Sequence, residues 1–166
     1  MITVTPTAAQ KRQASIDARK MGVLPNSFTY GKGNGIGMLA EIVAASWLGA
    51  ERVRPPVYSH DLVLNNLTID VKCKRCSSEP QPDYLASVVA KKKEVGIKAD
   101  LLLFARIMDD RSLAYLCGWL PTEEFVKQAE FIKAGTRDGG FIHRVDGFHV
   151  PLSKLNPMES LLIHHV

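Results

Sequence analysis

The segment YSHDLVLNNLTIDVKCKR, residues 58–75, restricts the fold more than any other stretch of the chain. Asn65-Asn66 separates two runs, 57–64 and 67–75, that alternate or stay apolar as strands do. Asn tolerates positive φ, so this pair suits a two-residue turn joining antiparallel strands. The turn fixes the register. Leu64 faces Leu67, Val63 faces Thr68, Leu62 faces Ile69 and Asp61 faces Asp70. Side chains alternate between the two faces of a sheet. One face then carries Leu62, Leu64, Leu67, Ile69, Val71 and Cys73, with no charge among them. The other carries Asp61, Val63, Thr68, Asp70, Lys72 and Lys74.

Asp61 opposite Asp70 needs an explanation, because like charges directly opposed on a sheet are destabilising. Their Cβ atoms lie about 4.5–5.5 Å apart in such a pair. Two carboxylates at that separation share either a proton or a cation. Hard oxygen ligands favour Mg²⁺, Mn²⁺ or Ca²⁺. Lys72 lies two residues beyond Asp70 and shares its face. The plainer alternative is an exposed polar face on which Lys72 bridges the two acids.

A second charge lacks an obvious place. IGMLAEIVAASWLGA, from Ile36, reads as a helix over about 36–48 that is apolar all round except for Glu41 and Ser46. Such a helix is buried, and a buried Glu is rare unless it is paired. A metal held by Asp61 and Asp70 would serve Glu41, and so would Arg52, Arg54 or Lys72. The preceding GKGNGIG is neither a Walker A loop nor a dinucleotide fingerprint. It reads either as a basic loop that lets a phosphate backbone approach a helix N-terminus, through Lys32 and Asn34, or as a plain turn.

The 166 residues fit one domain with a sizeable core. Hydrophobic content is 46% and charged content 23%, and no apolar run is long enough for a membrane span. There is no apolar signal core, and three cysteines suggest no disulfide framework, so the expectation is an intracellular, cytoplasmic protein. Net charge is +4. Residues 1–78 hold ten Lys/Arg and five Asp/Glu, a balance of +5, and residues 79–166 hold eleven and twelve, a balance of −1. The excess positive charge sits in the half that contains the hairpin, which suits a polyanion such as nucleic acid and equally serves solubility.

Elsewhere, Thr5-Pro6 reads as the start of a helix over 6–21. Residues 84–97 read as helical, 101–107 and 113–121 as buried strands joined at Asp109-Asp110, and 122–135 as a helix capped by Thr122 and ended by Gly135. GFHVPLSKL adds a short strand and PMESLL a final helix. The order predicts an α/β or α+β domain around a central mixed sheet flanked by helices. Residues 1–26 form an N-terminal helical extension and 122–166 a C-terminal one.

Glu41 on an apolar helix, Asp61 in one strand and Asp70-Val71-Lys72 in the next resemble the PD-(D/E)XK nuclease superfamily, the restriction-endonuclease-like fold. GKGNGIGMLAE is similar to the loop-helix entry of phage-type members, which points to a virus-encoded protein acting in a host cell. The likeness is best over 31–75. His60 stands where the family name has Pro. The resemblance implies a metal-dependent DNA nuclease, endonuclease or exonuclease. Asp61, Asp70, the Val71 carbonyl and Glu41 would hold Mg²⁺ or Mn²⁺. Lys72 would position or help deprotonate the attacking water. Lys74, Arg75 and the Lys91-Lys92-Lys93 run would hold the DNA backbone, although that run also reads as a solvated helix face. Ser59 faces Lys72 in this register and is placed to orient it. Tyr84 and Ser87 follow the hairpin where related nucleases often place substrate contacts. Many members dimerise to cut both strands, so a homodimer is also expected.

Three other readings stay open. A nucleic-acid-binding module on the same fold needs no catalysis. Cys73-x-x-Cys76 is half of a zinc motif that would have to borrow His143 or His149, although Cys73 falls on the apolar face and reads better as core. His143, Arg144 and His149 lie in a Gly-rich stretch that reads as a surface loop or a DNA-contacting one.

Overall fold

The computed structural model describes residues 1–21, 34–53, 57, 59–90, 95–138 and 141–163. Lys32, Arg54, Lys91, Lys92 and Lys93 lie outside these residues. The hairpin forms with the expected register: β3 (Leu62–Leu64) pairs with β4 (Leu67–Cys76), Leu62 opposite Ile69 and Leu64 opposite Leu67. Asn65 and Asn66 have φ of 46° and 69°, the two positive values a type I′ turn requires. Asn66→Gly should therefore raise stability by about 0.5 kcal/mol, and Asn65→Ala should lower it by about 1 kcal/mol. Chemical denaturation of each variant checks both signs.

β4 is the spine of a six-stranded mixed sheet. Its order is β1 (Ile2–Val4), β7 (Ala114–Pro121), β6 (Leu101–Met108), β4, β3 and β2 (Glu51–Arg52). Only β4 and β6 run parallel, and the other pairs are antiparallel. Both faces of the sheet are covered. α1 (Ala8–Met21), α2 (Asn34–Leu48) and α4 (Met158–Ile163) share a core with Leu62, Ile69, Val71, Leu103 and Ile107. The opposite face takes α3 (Thr122–Gln128) and a three-stranded sheet in the order β5 (Leu85–Val89), β11 (Gly147–Pro151), β8 (Glu130–Ile132). Leu102, Phe104, Phe125 and Val150 fill that second core. β9 (Arg137–Asp138) and β10 (Phe141–Ile142) form a separate small hairpin. The class is α+β around a mixed sheet.

Several local expectations are corrected. α1 begins later than expected. Thr7, not Thr5, caps it, through a reciprocal box in which Gln10 N–H donates to Thr7 Oγ1 and Thr7 N–H to Gln10 Oε1. Residues 85–89 are strand, not helix, because they pair along their whole length with β11. The helix expected over 122–135 stops at Gln128, and Glu130–Ile132 joins the sheet, with Phe131 edge-on to Phe148 at 5.3 Å. The Thr122 hydroxyl caps nothing. It donates to the Ala99 carbonyl at 2.6 Å. The first hairpin strand is shorter than 57–64, and β2, a two-residue strand, was not foreseen.

The C-terminal residues are built into both cores, with Phe125, Val150, Met158 and Leu161 fully buried. Gly118 shows how tightly they dock. Its φ is 151°, and a Cβ there would lie 2.7 Å from the Asn156 carbonyl oxygen. This close approach lets Trp119 and Asn156 exchange backbone hydrogen bonds of 3.1 and 2.9 Å.

Candidate active site

Asp61 sits just before β3, where its main chain is held from both sides. Its N–H donates to the Ile69 carbonyl at 2.9 Å, and its own carbonyl accepts from Val53 N–H at 2.8 Å. Its carboxylate Oδ2 accepts the Val71 N–H at 2.7 Å. The Val71 N–H, next to Asp70 in the chain, thus orients the Asp61 carboxylate. Asp70 pairs with Lys72 Nζ at 2.8 Å, and the two side chains are 16% and 32% exposed. Thr68, two residues earlier, is clamped to the entry of β6. Its N–H and hydroxyl both donate to Asp100 Oδ2, at 2.8 and 2.7 Å, and its hydroxyl oxygen accepts the Asp100 N–H at 3.0 Å. These bonds hold the Asp100 carboxyl below its ordinary range.

Glu41 reaches the same cluster from α2. Its partner is Arg52, whose guanidinium lies 3.3 Å from Glu41 Oε2 and 3.0 Å from Asp17 Oδ2 of α1. Arg52 therefore ties both helices to the sheet edge. Truncation to Ala leaves two half-buried acids without it, and should cost about 2 kcal/mol in a denaturant melt. Sequence reading offered Arg52 only as one of three alternative partners, and Asp17 was not foreseen. The bonds span 11 and 35 positions of chain, which no local pattern reports.

The electrostatics join the three acids. Burial pushes Asp61 up to about 8, and the neighbouring charges of Glu41 and Asp70 push the same way; the Val71 N–H and Lys72 only partly oppose them. Glu41 is also raised, chiefly by burial, with Arg52 opposing and Asp17 and Asp70 adding to the rise. Among the described residues, Glu41 pairs with Arg52, Asp70 with Lys72, and Asp61 accepts a backbone amide. Among the described residues no three His, Cys, Asp or Glu side chains already stand together as a metal site. The donor set nonetheless fits a hard divalent cation. Two acids raise the pKa of the third, all are oxygen donors, and a cation would relieve that repulsion.

The other expected residues divide. Lys74 shares the Lys72 face and turns its ammonium toward Ser87 Oγ at 2.6 Å and the Leu85 carbonyl at 3.2 Å. Tyr84 lies under the Arg106 guanidinium, 5.1 Å from ring centroid to carbon. Ser87, Tyr84 and Lys74 therefore gather around Arg106 and the Leu85 carbonyl. Arg75 is exposed and, by strand alternation, faces away from Lys74, so the two do not form one patch. Ser59 bonds His60 Nδ1 at 2.9 Å. The strand pairing stops short of it, and no bond joins it to Lys72 among the described residues. Asn34 starts α2, seven residues or about 10 Å along the axis from Glu41. Arg106 stands beside Lys74 and was not singled out from the sequence, and His149, read there as part of a loop, is buried in β11 opposite Ser87. A lone Arg inside LLLFARIM was the available signal.

The half zinc motif does not form. Cys73 joins the helix-side core and Cys76 the opposite one. All three cysteines are free, and burial pushes Cys73 and Cys117 up to about 12, which removes them as nucleophiles near neutral pH. No described helix is long and apolar enough to cross a membrane. The chain matches no protein-family model and no curated protein.

Proposed function

We propose that the protein is a metal-dependent DNA nuclease of the restriction-endonuclease-like fold, with Glu41, Asp61, Asp70 and Lys72 as its reactive centre. One observation carries the reading. A type I′ hairpin and a buried helix put three carboxyls within electrostatic reach of one another, with one lysine paired to Asp70, and burial with the two neighbouring charges raises Asp61 to about 8. Such an array is costly to the fold and suits a divalent cation, which would supply Lewis acidity and a hydroxide-like nucleophile near neutral pH. Asp61, Asp70 and Glu41 would hold it, with the Val71 carbonyl on the same strand.

The chain's own residues have separable tasks. Lys72 places a positive charge where a phosphodiester's non-bridging oxygens would face the acids, and so holds the phosphate and stabilises charge as it grows. Asp70 holds Lys72 in that position. The Val71 N–H aims Asp61, and Arg52 keeps Glu41 turned toward the cluster. The basic first half of the sequence supports a polyanionic substrate.

The test is incubation of the purified protein with supercoiled plasmid, linear duplex, single strand and a branched junction, in Mg²⁺, Mn²⁺ or EDTA. Cation-dependent cutting is the expected result. The preferred substrate then decides between nicking, end-trimming and junction resolution. DNA binding without cutting in every arm would replace the nuclease with a binding module.

A further inference from the structure

Lys72 is not the last cation on its face of β4. Lys74 stands two residues on, about 6.6 Å along the strand, and projects from the same side. Parallel pairing sets Arg106 of β6 beside Lys74 and Phe104 beside Lys72. β5 crosses the far side and brings Ser87. Lys72, Lys74, Ser87 and Arg106 wall a small cleft between the two sheets, with Phe104 and Cys117 among its apolar lining.

The charges in this cleft are not balanced. Lys74 Nζ and Arg106 Nη2 both donate to one oxygen, the Leu85 carbonyl, at 3.2 Å each. Neither pairs with a carboxylate among the described residues. Burial of the Lys74 ammonium brings it down to about 8, and the nearby Arg106 charge adds to this. The two cations share that one carbonyl and, among the described residues, lack an anionic partner, which an anion at the exposed mouth of the cleft would supply.

The hydroxyl beside them is fixed in advance. Ser87 Oγ accepts from Lys74 at 2.6 Å and lies 2.6 Å from His149 Nδ1. Burial and the nearby Lys74 and His143 lower His149 to about 4, so its ring is neutral near pH 7. Ser87 Oγ stands between the Lys74 ammonium and the imidazole, with the Leu85 carbonyl 3.4 Å away, and Ser87 and His149 act as positioning residues for the ammonium.

We propose that this cleft is a phosphate subsite, in which Lys74 and Arg106 hold the phosphodiester next to the one that faces Lys72. The strand spacing of the two lysines suits successive phosphates of a single nucleic-acid strand. The inference rests on the nuclease reading, because the acids beside Lys72 define which phosphate is attacked.

The test is fluorescence anisotropy of a short labelled single strand in EDTA over a series of salt concentrations, with a 5′-hydroxyl or a 5′-phosphate. Lys74→Gln keeps a donor to Ser87 while removing the charge. Arg106→Gln and Arg106→Lys separate charge from shape, and Lys127→Gln on exposed α3 controls for net charge. Lys74→Gln and Arg106→Gln should each weaken binding roughly fivefold to tenfold and lower the salt slope by about 0.7. Lys127→Gln should leave both unchanged, and Arg106→Lys should keep the slope. Equal losses on both strands support an internal phosphodiester, and a loss confined to the 5′-phosphate strand would assign the subsite to a strand end instead. Unchanged slopes in both Gln variants would overturn the subsite, and Lys72-dependent cleavage would then still stand. Absence of binding by the wild type at low salt would overturn the subsite, and cutting in Mg²⁺ would decide the nuclease reading separately.

Discussion

Lys72→Ala should lower the rate of DNA cleavage roughly a thousandfold, the scale seen when one preorganised charge-stabilising group is removed. Lys72 is placed for this by three features. It is on the polar face of β4, its Nζ lies 2.8 Å from Asp70, and its side chain stays partly open to solvent. A structural lysine would leave a different record. Its loss would lower stability and spare turnover in the folded fraction. Here the melting temperature should fall by only a few degrees, since a half-exposed ion pair is worth about 1 kcal/mol at most. Lys72→Arg should recover little, because a planar guanidinium does not replace a compact ammonium. Rates at saturating Mg²⁺, beside thermal melts of the same preparations, separate the two cases.

The second large effect concerns stability. Asp61 rises from an ordinary 3.8 to about 8 in the folded protein. A carboxyl raised in this way favours the fold when protonated. Its contribution is complete below about pH 4, declines as the pH rises, and is lost once the pH passes 8. Without divalent cation, the wild type should therefore lose on the order of 2 kcal/mol between pH 5 and pH 8 through this group. Asp61→Asn keeps an oxygen that can accept the Val71 N–H and removes the titration. Its profile should be flatter over that range, and at pH 8 it should melt about 5 °C above the wild type. Millimolar Mg²⁺ should stabilise the wild type at pH 8 and leave Asp61→Asn nearly unmoved. Urea melts at four pH values, with and without Mg²⁺, show whether the slope belongs to Asp61.

What the sequence disclosed was what neighbouring residues decide. Asn65-Asn66 specifies its turn within two positions, and the alternation of Leu62, Leu64, Leu67 and Ile69 then fixes the register. The ladder ends at Leu62 opposite Ile69, and Asp61, one residue before it, donates its N–H to the Ile69 carbonyl, beside Asp70. α2 was legible because an unbroken apolar surface admits few explanations, and Glu41 stood out against it. The strand at 85–89 was not legible. Its five residues read as helix on their own, and its partner Gly147–Pro151 lies some sixty residues later. Thr122 looked like a cap because it precedes two glutamates, yet the Ala99 carbonyl was the closer acceptor. Arg106 was missed, and Arg52 could not be chosen over Arg54 or Lys72, for the same reason. Each acts through groups that only tertiary folding brings near.

The most direct measurement is Mg²⁺-dependent nicking of supercoiled plasmid by the wild type beside Asp70→Ala, with EDTA as the blank. The account predicts relaxed and linear products from the wild type in Mg²⁺ alone, and none from Asp70→Ala although its circular dichroism matches. Equal nicking by both proteins, or nicking that survives EDTA, would contradict a carboxylate-held cation at the hairpin.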